Sequence, residues 1–390
     1  MPVLNRILLL FALVLSSLVL RWVCHDFRRL AERPRLVPSE AAPDAPPVSV
    51  LIPARNEERN IVRCVHAACT QHYPNYEVLV VDDGSTDRTG ALLAALNAQT
   101  SQLSVLTGRA LNPGWTGKCN VCQQLAEAAQ GEWLLFLDAD TTAQPGLVAA
   151  LLDTAERKGY DLLSIYPFME LGSFWERAVL PPFIAMIHAL YPTERIMAAD
   201  ARPDEVIANG QCIFVKRAAY FAAGGHAAVR GEVLEDVKLA QQLRRSGFRI
   251  GAAEGLEMLS VRMYRSGSEV REGLTKNAAA GARSSADRTN RVIVRLLAMN
   301  FGPFWAAAAA TTLTLRRSRL AWPAWASSIA ATASTLLLWR TLLQRLYRQP
   351  VWYALLWPFG FLTYLLIALW GMWRVRSGRG VVWKGRSYEG

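Results

Sequence analysis

A chain of 390 residues has room for one sizeable soluble domain plus further segments, and 52% hydrophobic composition with positive mean hydropathy argues against a wholly soluble protein. The formal charge of +11, from 43 Lys and Arg against 32 Asp and Glu, lies largely beside apolar runs and so suits anionic lipid headgroups and a phosphorylated substrate. No nucleic-acid motif accompanies it, and the six scattered cysteines read as reduced thiols rather than a disulfide framework.

Leu4 to Val23 is nearly continuous apolar sequence followed by Arg28, Arg29, Arg33 and Arg35, with no small-x-small cleavage site after it. Residues 1–30 therefore read as a membrane-spanning anchor rather than a cleaved signal peptide, with the basic flank cytoplasmic and the N-terminus outside. Residues 31–47, rich in Pro and Ala, form a linker. Val48 to Ile52 feeds into PARNEERNI, and Tyr76 to Val81 feeds into DDGSTDRT, each followed by a helical pattern, over Ile61–Cys69 and Thr89–Leu96. Repeated strand–loop–helix units imply a mostly parallel sheet whose polar loops meet at one edge. Arg55, Glu57, Asp82 and Asp83 fall in those loops, where Ser85, Thr86 and Asp87 also serve as helix caps.

Asn112 to Asn120, NPGWTGKCN, joins backbone-permissive residues to Lys118 ahead of a helix. It is either a turn or a phosphate cradle of backbone amides and ammonium, and it lacks the GxxxxGK[ST] spacing of a P-loop. Cys119 and Cys122 within it form a CxxC with no second pair at zinc spacing, which reads as small residues on a helix. Gly131 to Thr142, GEWLLFLDADTT, is a buried strand ending in Asp138 and Asp140. Hard oxygen ligands one residue apart suit Mg2+ or Mn2+, which complete their shells with water and substrate phosphate, so a diphosphate substrate is expected.

Gly172 to Leu190 is apolar but broken by Pro181 and Pro182, and fits either an interfacial helix or a core helix. Gly231 to Gly247 is an amphipathic helix with Glu235 and Asp236 in its first turn, where the helix dipole alone favours acids; only a cleft setting makes Asp236 a base. Val292–Leu315, Leu320–Trp339 and Val351–Trp373 are each about long enough to span a bilayer, with tryptophans near their ends. Three crossings after a cytoplasmic domain put the tail outside, whereas Arg374, Arg376, Arg379, Lys384 and Arg386 favour the inside. One segment is therefore expected to be re-entrant or interfacial, with the Pro- and Ser-containing Leu320–Trp339 the first choice.

Taken together, PARNEE, VVDDGSTD, FLDAD and GEVLEDVKLAQQLRRSGFR resemble the inverting glycosyltransferases of family 2, over roughly residues 48–285. GWTGKCN, LGSFWERAVLPP, RMYRS and VVWKGRSY are similar to a membrane branch that includes bacterial carotenoid and hopanoid-associated glycosyltransferases and, more distantly, ceramide glucosyltransferase. The resemblance implies an α/β GT-A catalytic domain over 48–285, with residues 286–390 as a C-terminal transmembrane region and basic tail. It implies transfer of a hexose, with inversion, from a nucleotide-diphosphate sugar such as UDP-glucose to a lipid acceptor, a carotenoid or another hydrophobic alcohol or acid. The expected setting is the cell inner membrane, multi-pass, with the catalytic domain cytoplasmic.

In that reading Pro53, Arg55, Glu57, Asp82, Asp83, Lys118 and Asp138 bind the nucleotide sugar, Asp138 and Asp140 bind metal, and Asp236 is the general base. Glu235, Arg262 and Arg265 are assigned to acceptor or diphosphate. Relatives that act on sugar acceptors place Trp after the second arginine of this motif, where this chain has Ser266, so an aromatic platform is missing. That counts against a processive polysaccharide synthase. A non-catalytic transporter or scaffold is the third class, disfavoured by the complete set of acids and by spans with only Arg295 inside them.

Overall fold

The computed structural model describes residues 2–281, 286–377, 379, 381–383 and 386–388. After helix α1 (Pro2–Glu32) the chain alternates β1 (Val48–Ala54), α2 (Ile61–Ala68), β2 (Tyr76–Asp82), α3 (Thr89–Asn97), β3 (Leu103–Thr107), α4 (Gly117–Ala128), β4 (Trp133–Leu137) and the short β5 (Thr141–Ala143). It continues through α5 (Leu147–Lys158), β6 (Leu162–Met169), α6 (Phe174–Leu190), α7 (Thr193–Ile196), β7 (Cys212–Lys216), α8 (Arg217–Ala222), α9 (Glu235–Arg245), β8 (Ile250–Val261) and α10 (Gly267–Gly281). Three long helices follow, α11 (Ala286–Leu315), α12 (Ala321–Tyr347) and α13 (Trp357–Arg376), then β9 (Val381–Trp383) and β10 (Arg386–Tyr388).

The first eight strands form one sheet in the order β3-β2-β1-β4-β7-β6-β8-β5, with β7 and β5 antiparallel to their neighbours and the other pairs parallel. The fold class is α/β, a mostly parallel sheet covered on both faces. Strand pleating separates the two faces: on β4, Leu135 and Leu137 enter the core shared with α2 and α5, while Leu134 and Phe136 enter the core shared with α4 and α9. Burial on both faces explains why β4 is an unbroken apolar run. Trp133 stacks on Phe214 of β7 with centroids 4.5 Å apart, a pair typically worth about 1 kcal/mol beyond its buried area.

Beyond the sheet, α1, α11 and α12 pack side by side through small residues: Ala12 meets Ala306, Ala309, Ala310 and Ala324, and Val19 and Val23 meet Met299, Ala331 and Leu338. Pro2–Glu32, Asn290–Leu315 and Val351–Arg376 are long and apolar enough to cross a membrane. Leu320–Trp339, the first choice for a re-entrant or interfacial segment, is not among them; it falls in one continuous 27-residue helix that returns along α11, with Ser328 Oγ donating to the Pro303 carbonyl at 3.0 Å. The helix of uncertain setting, α6, runs straight through Pro181 and Pro182 from a capping box of Ser173 and Glu176, and packs on α10 and α13. In the tail motif, Lys384 and Gly385 lie outside the described residues.

Candidate active site

Asp138 emerges one residue after β4. Its carbonyl accepts from Thr141 N at 3.1 Å and Thr141 Oγ1 at 2.7 Å, a tight turn that holds both carboxylates of the Asp-Ala-Asp step at the strand end. Thr116 N-caps α4 by accepting from Cys119 N, and this sets Lys118 in the first turn, facing Asp138. Lys118 Nζ lies 2.7 Å from Asp138 Oδ1 and 2.8 Å from Glu235 Oε1. Asp236, beside Glu235 at the start of α9, accepts from Gly210 N and Val237 N, both at 2.8 Å.

Residues 209–211 were missed in the sequence, yet they complete the site. Asn209 N donates to Ser164 Oγ at 2.7 Å and its Nδ2 to the Ile165 carbonyl at 3.2 Å, which pins the loop to β6. Gly210 then approaches so closely that a Cβ there would sit 3.0 Å from Asp236 Oδ2 and 3.2 Å from Lys118 Nζ. Only the strand that follows, β7, adjoins this loop in sequence; its partners come from distant parts of the chain. Lys276 on α10, in the KN that follows RMYRS and without a role assigned from the sequence, lines the same cavity.

The charges of the site explain its titration. Burial pushes the Asp236 carboxyl up and the Glu235 charge adds to it, bringing it to about 6. Burial works against ionised Glu235 too, but the Lys118 ammonium outweighs it and holds Glu235 below the usual carboxylate range. For Lys118, burial is outweighed by Asp138 and Glu235, so it stays firmly protonated. The seven carboxyl groups of Asp138, Asp140, Asp204, Glu232, Glu235, Asp236 and Glu254 line one cavity with four cationic side chains, Arg33, Lys118, Lys238 and Lys276. That excess of negative charge, carried by hard oxygens, fits a divalent cation accompanying a diphosphate. Asp138 and Asp140 are the residues that could hold it; among the described residues no group of three or more His, Cys, Asp or Glu is arranged as a ready-made metal site.

The remaining residues singled out from the sequence lie outside this cavity's lining. Arg55 Nη1 donates to the Asp83 carbonyl, and lies 3.9 Å from Asp83 Oδ2, just beyond Pro53 on β1. Asp82 Oδ1 accepts from Ser85 N and Ser85 Oγ, at 3.1 and 2.6 Å, so it shapes its own loop. Glu57 accepts from Asn60 Nδ2 at 2.9 Å, and Arg265 Nη2 donates to Asn60 Oδ1 at 2.9 Å, tying the RMYRS segment to the loop after β1. Arg262 Nε lies 3.6 Å from the fully buried Glu176 of α6, while its N–H points to the Asp140 carbonyl at 3.5 Å. Arg262 thus joins the Asp138–Asp140 turn to α6. Cys119 and Cys122 are buried free thiols on α4, as the small-residue reading of the CxxC expects.

The cavity itself has a volume of about 720 Å3 and runs from the Lys118–Asp138–Asp236 end to an apolar wall built by α6, α11 and α13, including Phe183, Met186, Leu296, Leu365 and Met372. A polar, doubly acidic strand end beside an apolar chamber narrows the comparison with known proteins. Residues 49–220 match the family model described as glycosyl transferase family 2. The chain carries a family 2 glycosyltransferase domain. The 4,4'-diaponeurosporenoate glycosyltransferase of Staphylococcus aureus (strain MRSA252) is 27% identical over 253 residues, covering 63% of this chain and 64% of that one. The protein of the same description from strain USA300 is 27% identical over 252 residues. The chain thus spans about 64% of the length of these curated relatives. Among solved structures, a mannosyltransferase from Pyrobaculum calidifontis in complex with GDP-Man and Mn2+ superposes with a TM-score of 0.56 at 17% identity, covering 95% of this chain and 99% of that one. The family 2 domain is therefore a GT-A fold, with carotenoid-related glycosyltransferases among its relatives.

Proposed function

We propose that this protein transfers a sugar from a nucleotide-diphosphate sugar to a lipid acceptor, with inversion at the anomeric carbon. The observation that carries the reading is the single cavity in which Lys118, Asp138, Glu235 and Asp236 meet an apolar wall of α6, α11 and α13. Asp236, held by the Gly210 and Val237 amides and raised to about 6, removes the proton of an acceptor hydroxyl, a contribution typically on the order of 100- to 10,000-fold. Glu235, ionised against Lys118, keeps a negative charge beside Asp236 and so keeps that base from becoming too weak. Lys118 holds positive charge against Asp138, where the diphosphate leaves. When bound to Asp138 and Asp140, Mg2+ or Mn2+ supplies Lewis-acid neutralisation of that diphosphate; the mannosyltransferase neighbour was solved with Mn2+ and GDP-Man.

UDP-glucose is the donor we would supply first, and a carotenoid alcohol or acid the first acceptor, because the curated relatives are named for a carotenoid acid. The protein sits in the cell inner membrane with its catalytic domain on the cytoplasmic side, where nucleotide sugars are made. Membranes containing the protein are incubated with radiolabelled UDP-glucose or GDP-mannose, with Mg2+, Mn2+ or EDTA, and organic-extractable lipid is counted. Metal-dependent label in one discrete lipid, lost in Asp138→Ala and Asp236→Asn, supports the reading. Label only in water-soluble polymer, or none with either donor and added carotenoid, hopanoid and sphingolipid extracts, sinks it.

A further inference from the structure

The geometry points to α13 as a helix that does not cross the membrane: it lies at the membrane surface, one face roofing the active-site cavity and the other facing lipid. Its length and apolar character alone would allow a crossing, but its packing takes it elsewhere. At Gly360 the helix approaches the Ala178 carbonyl of α6 with no room for a Cβ, and at Gly371 it does the same to the Thr275 carbonyl of α10. Between them Tyr364 packs on Phe183 at 5.6 Å and donates its hydroxyl to Met186 Sδ at 2.8 Å. One whole face of α13 is thereby committed to α6 and α10.

The opposite face, Phe359, Leu362, Leu366, Leu369, Trp370 and Trp373, is 42–58% exposed. A helix apolar on both faces needs an apolar medium on the uncovered one. The bilayer is the occupant, because this face is continuous with that of the bundle. Trp357 stacks on Phe304 of α11 at 5.8 Å, and Phe361 meets Phe301 at 6.1 Å, with Phe304 and Trp305 themselves exposed. Phe174, Trp175 and Phe359 add an exposed aromatic cluster at the same level, as a headgroup boundary favours.

The bundle fixes which boundary this is. Gly302 of α11 lies against Leu15 and Val19 of α1; just beyond come Arg21 and the Asp26–Arg295 ion pair, where the apolar stretch ends. From its start at that level α13 proceeds to α10, and β9 after it lies against α10 as well. Three helices then cross, α1, α11 and, by its packing along both of them rather than by its apolar content, α12; the tail with Arg374, Arg376 and Arg379 returns to the catalytic side, where basic residues meet anionic lipid. In the cavity wall, Ile293 and Leu296 of α11 stand with Leu365, Leu369 and Met372 of α13. The seam between these two helices is the lateral opening for bilayer lipid, an extension that rests on the lipid-acceptor reading.

The test uses full-length protein in sealed vesicles, in a Cys24→Ser background that removes the exposed native thiol. Ser101→Cys, Ser318→Cys and Ser377→Cys are labelled one at a time with a membrane-impermeant maleimide from each side. Ser377→Cys is expected to label from the side of Ser101→Cys, and Ser318→Cys from the other. Ser377→Cys labelling with Ser318→Cys, or all three from one side, overturns the topology. A photo-crosslinking residue at Leu366 or Met372, in phosphatidylethanolamine and phosphatidylglycerol vesicles without sugar donor, is expected to capture lipid at both positions. No adduct at Leu366 overturns the surface placement, and an adduct there with none at Met372 overturns the opening. Neither readout needs transfer activity, so failure of the topology is distinguishable from failure of the enzymatic reading.

Discussion

Two groups of carboxylates stand after strands of the same sheet, and their surroundings give them different work. After β1 and β2, Glu57 accepts from Asn60 and Asp82 from Ser85, contacts within their own loops. After β4 and at the start of α9, Asp138, Glu235 and Asp236 face a cavity and are balanced by one ammonium held between two of them. Residue type is therefore a poor guide to role at such an edge. What differs is where each carboxylate stands: Asp138, Glu235 and Asp236 line the cavity, whereas Glu57 and Asp82 lie outside its lining.

The contrast can be broken most sharply at Asp236. Asp236→Asn is expected to lower single-turnover transfer to a hydroxylated acceptor on the order of 100- to 10,000-fold without lowering the thermal midpoint in detergent. A loss smaller than tenfold would remove Asp236 as the base. Next comes Asp138→Ala, which releases Lys118 from one partner and removes a metal ligand; a loss of about 100-fold, with the metal dependence of the remaining rate abolished, is expected. EDTA should reproduce that loss in the wild type and add little to the variant.

The pH profile sharpens the same comparison. Because burial and Glu235 raise Asp236 to about 6, its proton is held below that pH and lost above it. The single-turnover rate should fall about tenfold per unit below pH 6 and level off above it, and Asp236→Asn should flatten the profile. The linkage runs the other way for stability: the folded state binds the Asp236 proton more tightly than the unfolded chain, so its contribution is full below the unfolded value near 3.8 and lost as pH rises through about 6. Asp236→Asn is thus expected to raise the thermal midpoint at pH 8, checked by scanning fluorimetry. The smallest effect on chemistry belongs to Asp82→Ala, which leaves the Ser85 amide and hydroxyl without their acceptor. It should cost about 1–3 kcal/mol of stability and change transfer per folded molecule by less than threefold. A large loss of transfer with unchanged stability would move Asp82 into the working group.

Much of the fold was legible in the residues. Apolar and β-branched runs located β1, β2 and β4, and the run at Trp133–Leu137 marked the strand buried on both faces. The bundle was legible as apolar length, but its packing was not: Leu320–Trp339, expected from its Pro and Ser to be re-entrant or interfacial, lies in a continuous helix packed along α1 and α11, with Ser328 donating its hydroxyl to the Pro303 carbonyl. The arginines of RMYRS were assigned to acceptor or diphosphate; that Arg262 lies beside Glu176 and Arg265 donates to Asn60 could not be read from the sequence.

By itself, the order of residues determined the alternation of strands and helices, the acidic ends of those strands and the apolar character of both termini, because periodicity and local turn chemistry depend on near neighbours. Tertiary structure alone decided which carboxylate faces a cavity, that the Gly210 amide holds Asp236, and that α13 leaves the bundle for α6 and α10. Each of these depends on groups far apart in sequence coming within a few ångströms, and the desolvation that raises Asp236 exists only once they have.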